Sequence, residues 1–160
     1  MKQARKPTNK QNNPGETAMR QLTISGIVLT LMVAFGIAEE RTSIYRELTL
    51  TQAVAEAQTA QRMVMVHFSA TWCGYCKAMD KDTFNDATVR TALDKKYIPI
   101  QIDVESPVGL ELTKKYQIHG TPVIAIFDET GKMISARPGY QDPQTFLRYL
   151  TELNAVVEKF

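Results

Sequence analysis

Only two cysteines, two histidines and one tryptophan occur among these 160 residues, and the scarcity excludes several chemistries. A structural zinc centre takes four ligands, usually as two close cysteine pairs or one such pair with two nearby histidines. Here Cys73 and Cys76 are the one pair, and the histidines, His67 and His119, lie far apart in the chain, so no metal is expected. Covalent haem attachment requires histidine directly after the second cysteine, where this chain has Lys77. Basic surface is also scarce: beyond the N-terminal tail, Lys and Arg are interleaved with Asp and Glu, which argues against a nucleic-acid partner. There is no internal repeat or low-complexity tract.

The formal charge of +2 hides an asymmetry. Lys2, Arg5, Lys6, Lys10 and Arg20 face a single acid, Glu16, within the first 38 residues, a net of +4 that leaves the remainder near −2. Residues 1–21 are polar and basic. Residues 22–38, LTISGIVLTLMVAFGIA, are 17 apolar-rich residues, between the length of a signal-peptide core and a full membrane span. Gly36-Ile37-Ala38 offers the small residues read by a signal peptidase and favours cleavage after Ala38; the long polar lead favours an uncleaved anchor. Either outcome leaves the N-terminus cytoplasmic and exports the rest, to the periplasm or another extracytoplasmic side. Residues 39–48 are expected to link this segment to a single domain over 49–160, whose 112 residues suffice for one core.

The two cysteines stand in Trp72-Cys73-Gly74-Tyr75-Cys76, where an apolar strand runs into a helix-like segment. A thiol at a helix start faces unpaired backbone N–H groups and the positive end of the helix dipole, which lowers its pKa and supplies the nucleophilic thiolate. Two intervening residues put the second sulfur about one turn behind the first, within reach of a reversible disulfide. A purely structural disulfide would close so short a loop that it removes little unfolded-chain entropy.

Around this motif the patterning alternates between helix and strand. Thr49–Gln61 places Leu50, Val54 and Ala57 at helical spacing, and Met63–Phe68 is an apolar run of strand length. Cys73–Lys81 reads as a helix opening on the dithiol. A kink at Thr83-Phe84-Asn85 precedes a second helix over Asp86–Lys96, with Asp86 as its cap. Tyr97–Val104 is a strand, Pro107–Tyr116 a helix with proline at its start, and Pro122–Phe127 a strand. Asp128-Glu129-Thr130-Gly131 is hairpin chemistry leading into Lys132–Ala136, so the last two strands should pair antiparallel. Asp142–Phe160 closes as an amphipathic helix through Phe146, Leu147, Leu150, Leu153 and Val157. Met63, Met65 and Met79 read as core filler, His119 as a surface loop residue and Lys77 as solvated.

The strand and motif MVMVHFSATWCGYCK, the strand YIPIQIDV, the segment HGTPVIAIFDETGK and Gly139 before the last helix occur in an order that resembles the thioredoxin fold. The resemblance covers nearly all of 49–160 and implies an α/β fold, a central mixed sheet flanked by helices. The Thr-Phe-x-Asp run at 83–86 is similar to periplasmic thiol:disulfide interchange proteins, including the C-terminal domain of the DsbD type; the Gly74-Tyr75 dipeptide resembles DsbC-type isomerases. Unlike in those isomerases, no dimerisation domain of appreciable length is expected ahead of the fold. The resemblance implies a cis Thr121-Pro122 bond opposite the dithiol, with the backbone of Thr121 able to meet a docking extended peptide.

His67 departs from the family pattern. Six residues before the first cysteine, thioredoxins commonly carry a buried acid that moves the proton of the second cysteine, and the position of its usual lysine partner is Pro99 here. A buried imidazole, with an ordinary pKa of about 6.5 that burial lowers, could accept that proton or simply be a neutral core residue. Trp72 shapes the docking surface or joins the core, and Tyr75 shields the dithiol or covers apolar surface.

The expected chemistry is thiol–disulfide exchange: Cys73 attacks a disulfide in a client protein, and Cys76 then resolves the mixed disulfide. No cofactor beyond the Cys73–Cys76 pair is expected. Because the dipeptide adds no cation to stabilise the thiolate, a reductase is favoured over a strong oxidant. An exported reductase implies protein disulfide substrates and a membrane electron donor, with membrane contact only through 22–38 if that segment is retained. The alternatives are an isomerase or oxidase, a thioredoxin of cytochrome c maturation, and a non-catalytic thioredoxin-fold binding module.

Overall fold

In the computed structural model the described residues are 43–157. The apolar segment at 22–38, the expected cleavage point after Ala38 and the residues 158–160 expected to end the last helix lie outside them. Among the described residues no helix is long and apolar enough to cross a membrane.

The elements are α1 (Leu50–Ala60), β1 (Met63–Ser69), α2 (Gly74–Ala78), α3 (Ala87–Lys96), β2 (Tyr97–Asp103), α4 (Pro107–Tyr116), β3 (Val123–Phe127), β4 (Met133–Pro138) and α5 (Pro143–Val157). Alpha-helical α2 gives way at Met79–Thr83 to a π-helical turn, inside the stretch expected to stay one helix through Lys81, and the expected kink follows as a turn at Phe84-Asn85. Local chemistry sets the boundaries. Thr49 and Gln52 make a reciprocal capping box on α1, Asp86 accepts from Thr88 N and Val89 N on α3, and Ser106 caps α4 ahead of Pro107. Asp142 accepts from Gln144 N and Thr145 N at the start of α5.

The sheet order is β2-β1-β3-β4. β1 pairs parallel with β2 and antiparallel with β3, and β3 with β4 antiparallel, so the sheet is mixed and the terminal hairpin forms as its turn chemistry demands. β1 is buried along its whole length, as a central strand covered on both faces must be. Its alternation divides the core. Val64, Val66 and Phe68 join Ile98, Ile100, Ala53 and Ala57 on one face, while Met63 and Met65 join Met79, Phe84, Leu93 and Phe146 on the other. The buried set of α5 is Phe146, Tyr149 and Leu150; Leu147 and Leu153 pack at the margin, and Val157 is exposed.

The stretch expected to be a linker, 39–48, takes part in the domain over its described portion. Ile44 and Tyr45 pack on one core and Leu48 on the other, Arg46 N donates to Pro99 O at 2.8 Å, and Arg46 pairs with Glu56 at 3.0 Å. These residues lack the periodicity of a helix or strand, so the pattern could not show their burial.

Gly109 marks a close approach: a Cβ there would overlap the backbone carbonyl of Asp103 at the end of β2. That carbonyl is held by Ser106 N and Oγ and cannot move aside cheaply. Gly109→Ala is expected to destabilise the domain by roughly 1–3 kcal/mol despite alanine's better helix propensity, read as a lowered denaturant midpoint.

Candidate active site

The loop leaving β1 delivers Cys73 to the N-cap of α2, and its sulfur accepts from Cys76 N at 3.1 Å. The two cysteines form a disulfide, their Cα atoms 5.3 Å apart. Ala70 O takes the Cys73 N–H at 3.1 Å, and Cys73 O accepts from Lys77 N at 3.2 Å, so backbone bonds fix the motif on both sides. Cys73 is 4% exposed and Cys76 1%, which leaves the first cysteine the more accessible residue.

Exposed aromatic side chains lie beside the pair. Trp72 is 64% exposed, a surface and not a core position, and Tyr75 is 69% exposed. The ring of Tyr75 lies 6.3 Å from that of Tyr140, a partner carried on the loop between β4 and α5. Thr121-Pro122 is cis. Because Phe68 pairs with Val123, Pro122 sits at the end of β1 from which the dithiol loop departs. Pro122 O accepts from Gly139 N at 2.8 Å, tying the Tyr140 loop to the same end of the sheet. Thr121 Oγ1 is buried with no hydrogen-bond partner among the described residues.

His67 is completely buried on β1. Its neighbours are not at Pro99, which pairs with Met65. They are Gln101 on β2, Asp80 on the π turn and Tyr45 from the N-terminal stretch. Tyr45 Oη lies 2.7 Å from His67 Nδ1 and donates to Asp80 Oδ1 at 2.6 Å. Gln101 Nε2 is 3.4 Å from the same ring nitrogen and 3.5 Å from Asp80 Oδ2, longer and weaker contacts. Rings of Tyr45 and Phe84 enclose the imidazole at 5.8 and 5.4 Å. Burial lowers the His67 pKa to about 4, against a smaller opposing pull from Asp80. Burial first, then the bond and charge of Asp80, push the Tyr45 phenol far above its ordinary range, so it stays protonated.

The histidine network has a pH signature. His67 is neutral when folded and takes up a proton near pH 6.5 when unfolded, so its contribution to stability is intact above about pH 6.5 and is lost as pH falls toward 4. The loss is at most about 3 kcal/mol over that window. Denaturant midpoints at pH 7 and pH 4.5 should differ more for the native chain than for His67→Gln; equal differences would assign acid lability to other groups.

Asp80, Gln101 and Tyr45 were not singled out by the sequence. Asp80 had a signal, its spacing of four from Cys76, which shares a helix face; Tyr45 and Gln101 had none. His119 is exposed, Lys77 is exposed beside the dithiol, and Met63, Met65 and Met79 are core. Among the described residues no group of three or more His, Cys, Asp or Glu is arranged to hold a metal ion.

A mixed sheet flanked by helices, with a Cys-x-x-Cys disulfide at the head of a helix and a cis-proline at the same end of the sheet, defines the class of thioredoxin-fold thiol:disulfide oxidoreductases. The family comparison agrees: residues 50–154 match the thioredoxin-like domain, and the chain belongs to that family. It is 35% identical over 101 residues to the thiol:disulfide interchange protein DsbD of Ralstonia nicotianae, covering 62% of this chain and 17% of that protein. The chain thus spans about a sixth of the length of that curated relative. A thioredoxin from Thermus thermophilus superposes with a TM-score of 0.60 at 28% identity, over 68% of this chain and 84% of that one. The reduced DsbD C-terminal domain of Neisseria meningitidis shares the fold at a TM-score of 0.55 and 24% identity, over 64% of this chain and 92% of that one.

Proposed function

We propose that this protein is an exported thiol:disulfide oxidoreductase that works chiefly as a reductase of protein disulfides. The observation that carries the reading is the Cys73–Cys76 disulfide at a helix head among exposed Trp72, Tyr75 and Tyr140. The Cys73 thiolate attacks one sulfur of a client disulfide, forming a mixed disulfide and expelling the other client sulfur as thiolate. Cys76 then attacks the Cys73 sulfur, restoring the disulfide and releasing the second client thiolate. Thr121 and Pro122, at the same end of the sheet, would receive the client backbone, and Trp72, Gly74 and Tyr75 would border it. Gly74 supports this role because a Cβ there meets nothing within 4 Å, leaving open space at a position that lies between the two cysteines in sequence.

Export rests on the charge asymmetry and apolar run of residues 1–38. An enzyme on that side of the membrane is cut off from cytosolic reductants and would draw its electrons from a membrane donor. Reductase direction rests on the Gly74-Tyr75 dipeptide, which adds no cation to hold the Cys73 thiolate down in energy.

The measured reduction potential tests direction. A value nearer thioredoxin's, about −270 mV, than a strong oxidant's, about −120 mV, is expected; a value at the oxidising end would overturn the reductase reading. A fusion of residues 1–48 to a reporter active only outside the cytoplasm tests export. Cys76→Ala, which halts the reaction at the mixed disulfide, would retain clients for identification.

A further inference from the structure

The loop between β4 and α5 is tied down on both sides of Tyr140. Gly139 sits at φ +88°, a left-handed conformation that favours glycine, and its N–H donates to Pro122 O at 2.8 Å. Gln141 O accepts from Thr83 Oγ1 at 2.6 Å, and Asp142 then begins α5 by accepting from Gln144 N and Thr145 N. Gln141 is buried, but its side-chain amide has no hydrogen-bond partner among the described residues, so the tie from Thr83 falls on its backbone. Between these pinned neighbours Tyr140 is 41% exposed, and its ring lies 6.3 Å from that of Tyr75. A tyrosine whose backbone is already fixed loses little further freedom when its ring meets a partner.

Thr83 spends its hydroxyl differently from other helical threonines of this chain. Thr59, Thr91 and Thr151 each donate to the carbonyl four residues back in their own helix. Thr83, completely buried at the end of the π turn that continues the active-site helix, reaches across to a residue 58 positions away. Its bond joins the segment that carries Tyr75 and Cys76 to the segment that carries Tyr140.

We propose that Thr83 is a positioning residue: its hydroxyl pins the loop that sets Tyr140 against Tyr75, and the paired rings select client disulfides with an aromatic or branched aliphatic residue beside the cysteine. The inference rests on the exchange chemistry proposed above and names its substrate class. Tyr75 adjoins Cys76 and stands two residues from Cys73, so the client side chains brought to the rings in the mixed disulfide are those that flank the client's cysteine. A large apolar side chain there takes ring surface out of water, whereas a small polar one does not.

Two peptide disulfides that differ only in the residue beside the cysteine, phenylalanine in one and serine in the other, test the selection. The native chain is expected to reduce the phenylalanine peptide with a kcat/KM about tenfold higher. Tyr140→Ala should bring that ratio below about twofold. Thr83→Val keeps the buried volume and removes the hydrogen bond. It should lower the ratio to about threefold through a higher KM for the phenylalanine peptide, with kcat and the reduction potential of the Cys73–Cys76 pair unmoved. Thr83→Ser restores the hydroxyl and should restore the ratio, which a general loss of packing would not explain. An NMR cross-peak between the ring protons of Tyr75 and Tyr140 should be present in the native chain and in Thr83→Ser and weaken in Thr83→Val. If Thr83→Val fails to fold, the native chain still decides, because a buried and bonded Thr83 hydroxyl proton exchanges slowly enough to give its own resonance; its absence would remove the brace. A native ratio under about twofold, a ratio that survives Tyr140→Ala, or a Thr83→Val chain that keeps both the ratio and the cross-peak would overturn the proposal. Failure of the native chain to reduce either peptide would instead defeat the exchange chemistry on which it rests.

Discussion

Cys73→Ala is expected to reduce insulin no faster than dithiothreitol alone, while the native chain accelerates the reaction severalfold or more. The loss follows from the order of attack. Only Cys73 sits at the helix cap, it is the more exposed of the two cysteines, and a reduced Cys76 buried behind it cannot reach a protein client. Stability does not explain such a loss. A disulfide between residues three apart contributes roughly 2 kcal/mol or less by the loop-closure relation, a modest part of the 5–15 kcal/mol typical of a domain. Folding of the variant is checked by far-UV circular dichroism. An alanine variant as active as the native chain would make the domain a binding module that keeps its cysteines for another reason.

The second large effect belongs to Phe84. Its ring meets Phe146 edge-on at 5.5 Å, Tyr45 edge-on at 5.8 Å and His67 at 5.4 Å, and it is almost fully buried. Phe84→Ala removes that packing and leaves a cavity between the π turn and α5, at an expected cost of about 3–5 kcal/mol. A second consequence separates this site from an ordinary core position. Burial is the main cause of the low His67 pKa, so water entering the cavity should raise it toward its ordinary value of about 6.5. Denaturant unfolding measures the first effect and an NMR titration of the imidazole the second. A stability loss under about 1 kcal/mol, the scale of a surface substitution, would mean that the neighbouring rings close the gap.

Much of the fold could be read from the chain because its signals are local. Thr49, Asp86 and Ser106 cap the helices they precede, the Asp128–Gly131 turn pairs β3 with β4, and the apolar run at Met63–Ser69 becomes the central strand. Tyr149 was missed from the core set of α5 because its ring is buried while its hydroxyl still reaches Ser135 at 2.9 Å, a combination that hydrophobic periodicity does not score. The turn at Phe84-Asn85 was legible, whereas the π turn at Met79–Thr83 lay in a stretch that reads as ordinary helix. The site divides the same way. The dithiol and its place before a helix are contiguous in sequence, whereas the aromatic pair of Tyr75 with Tyr140 joins residues 65 apart through the β4–α5 loop.

By itself the sequence determined a Cys-x-x-Cys pair at a helix head, the alternation that places it on an α/β sheet, and a histidine six residues before the first cysteine. Those features depend on neighbours within a few residues, where backbone periodicity and capping chemistry act. Only the tertiary structure decided what that histidine is. It brings Tyr45, Asp80 and Gln101 from separate segments to one buried ring. A hydrogen bond between residues 22 apart depends on chain packing, and a pKa set by burial does not exist until the core has closed over it.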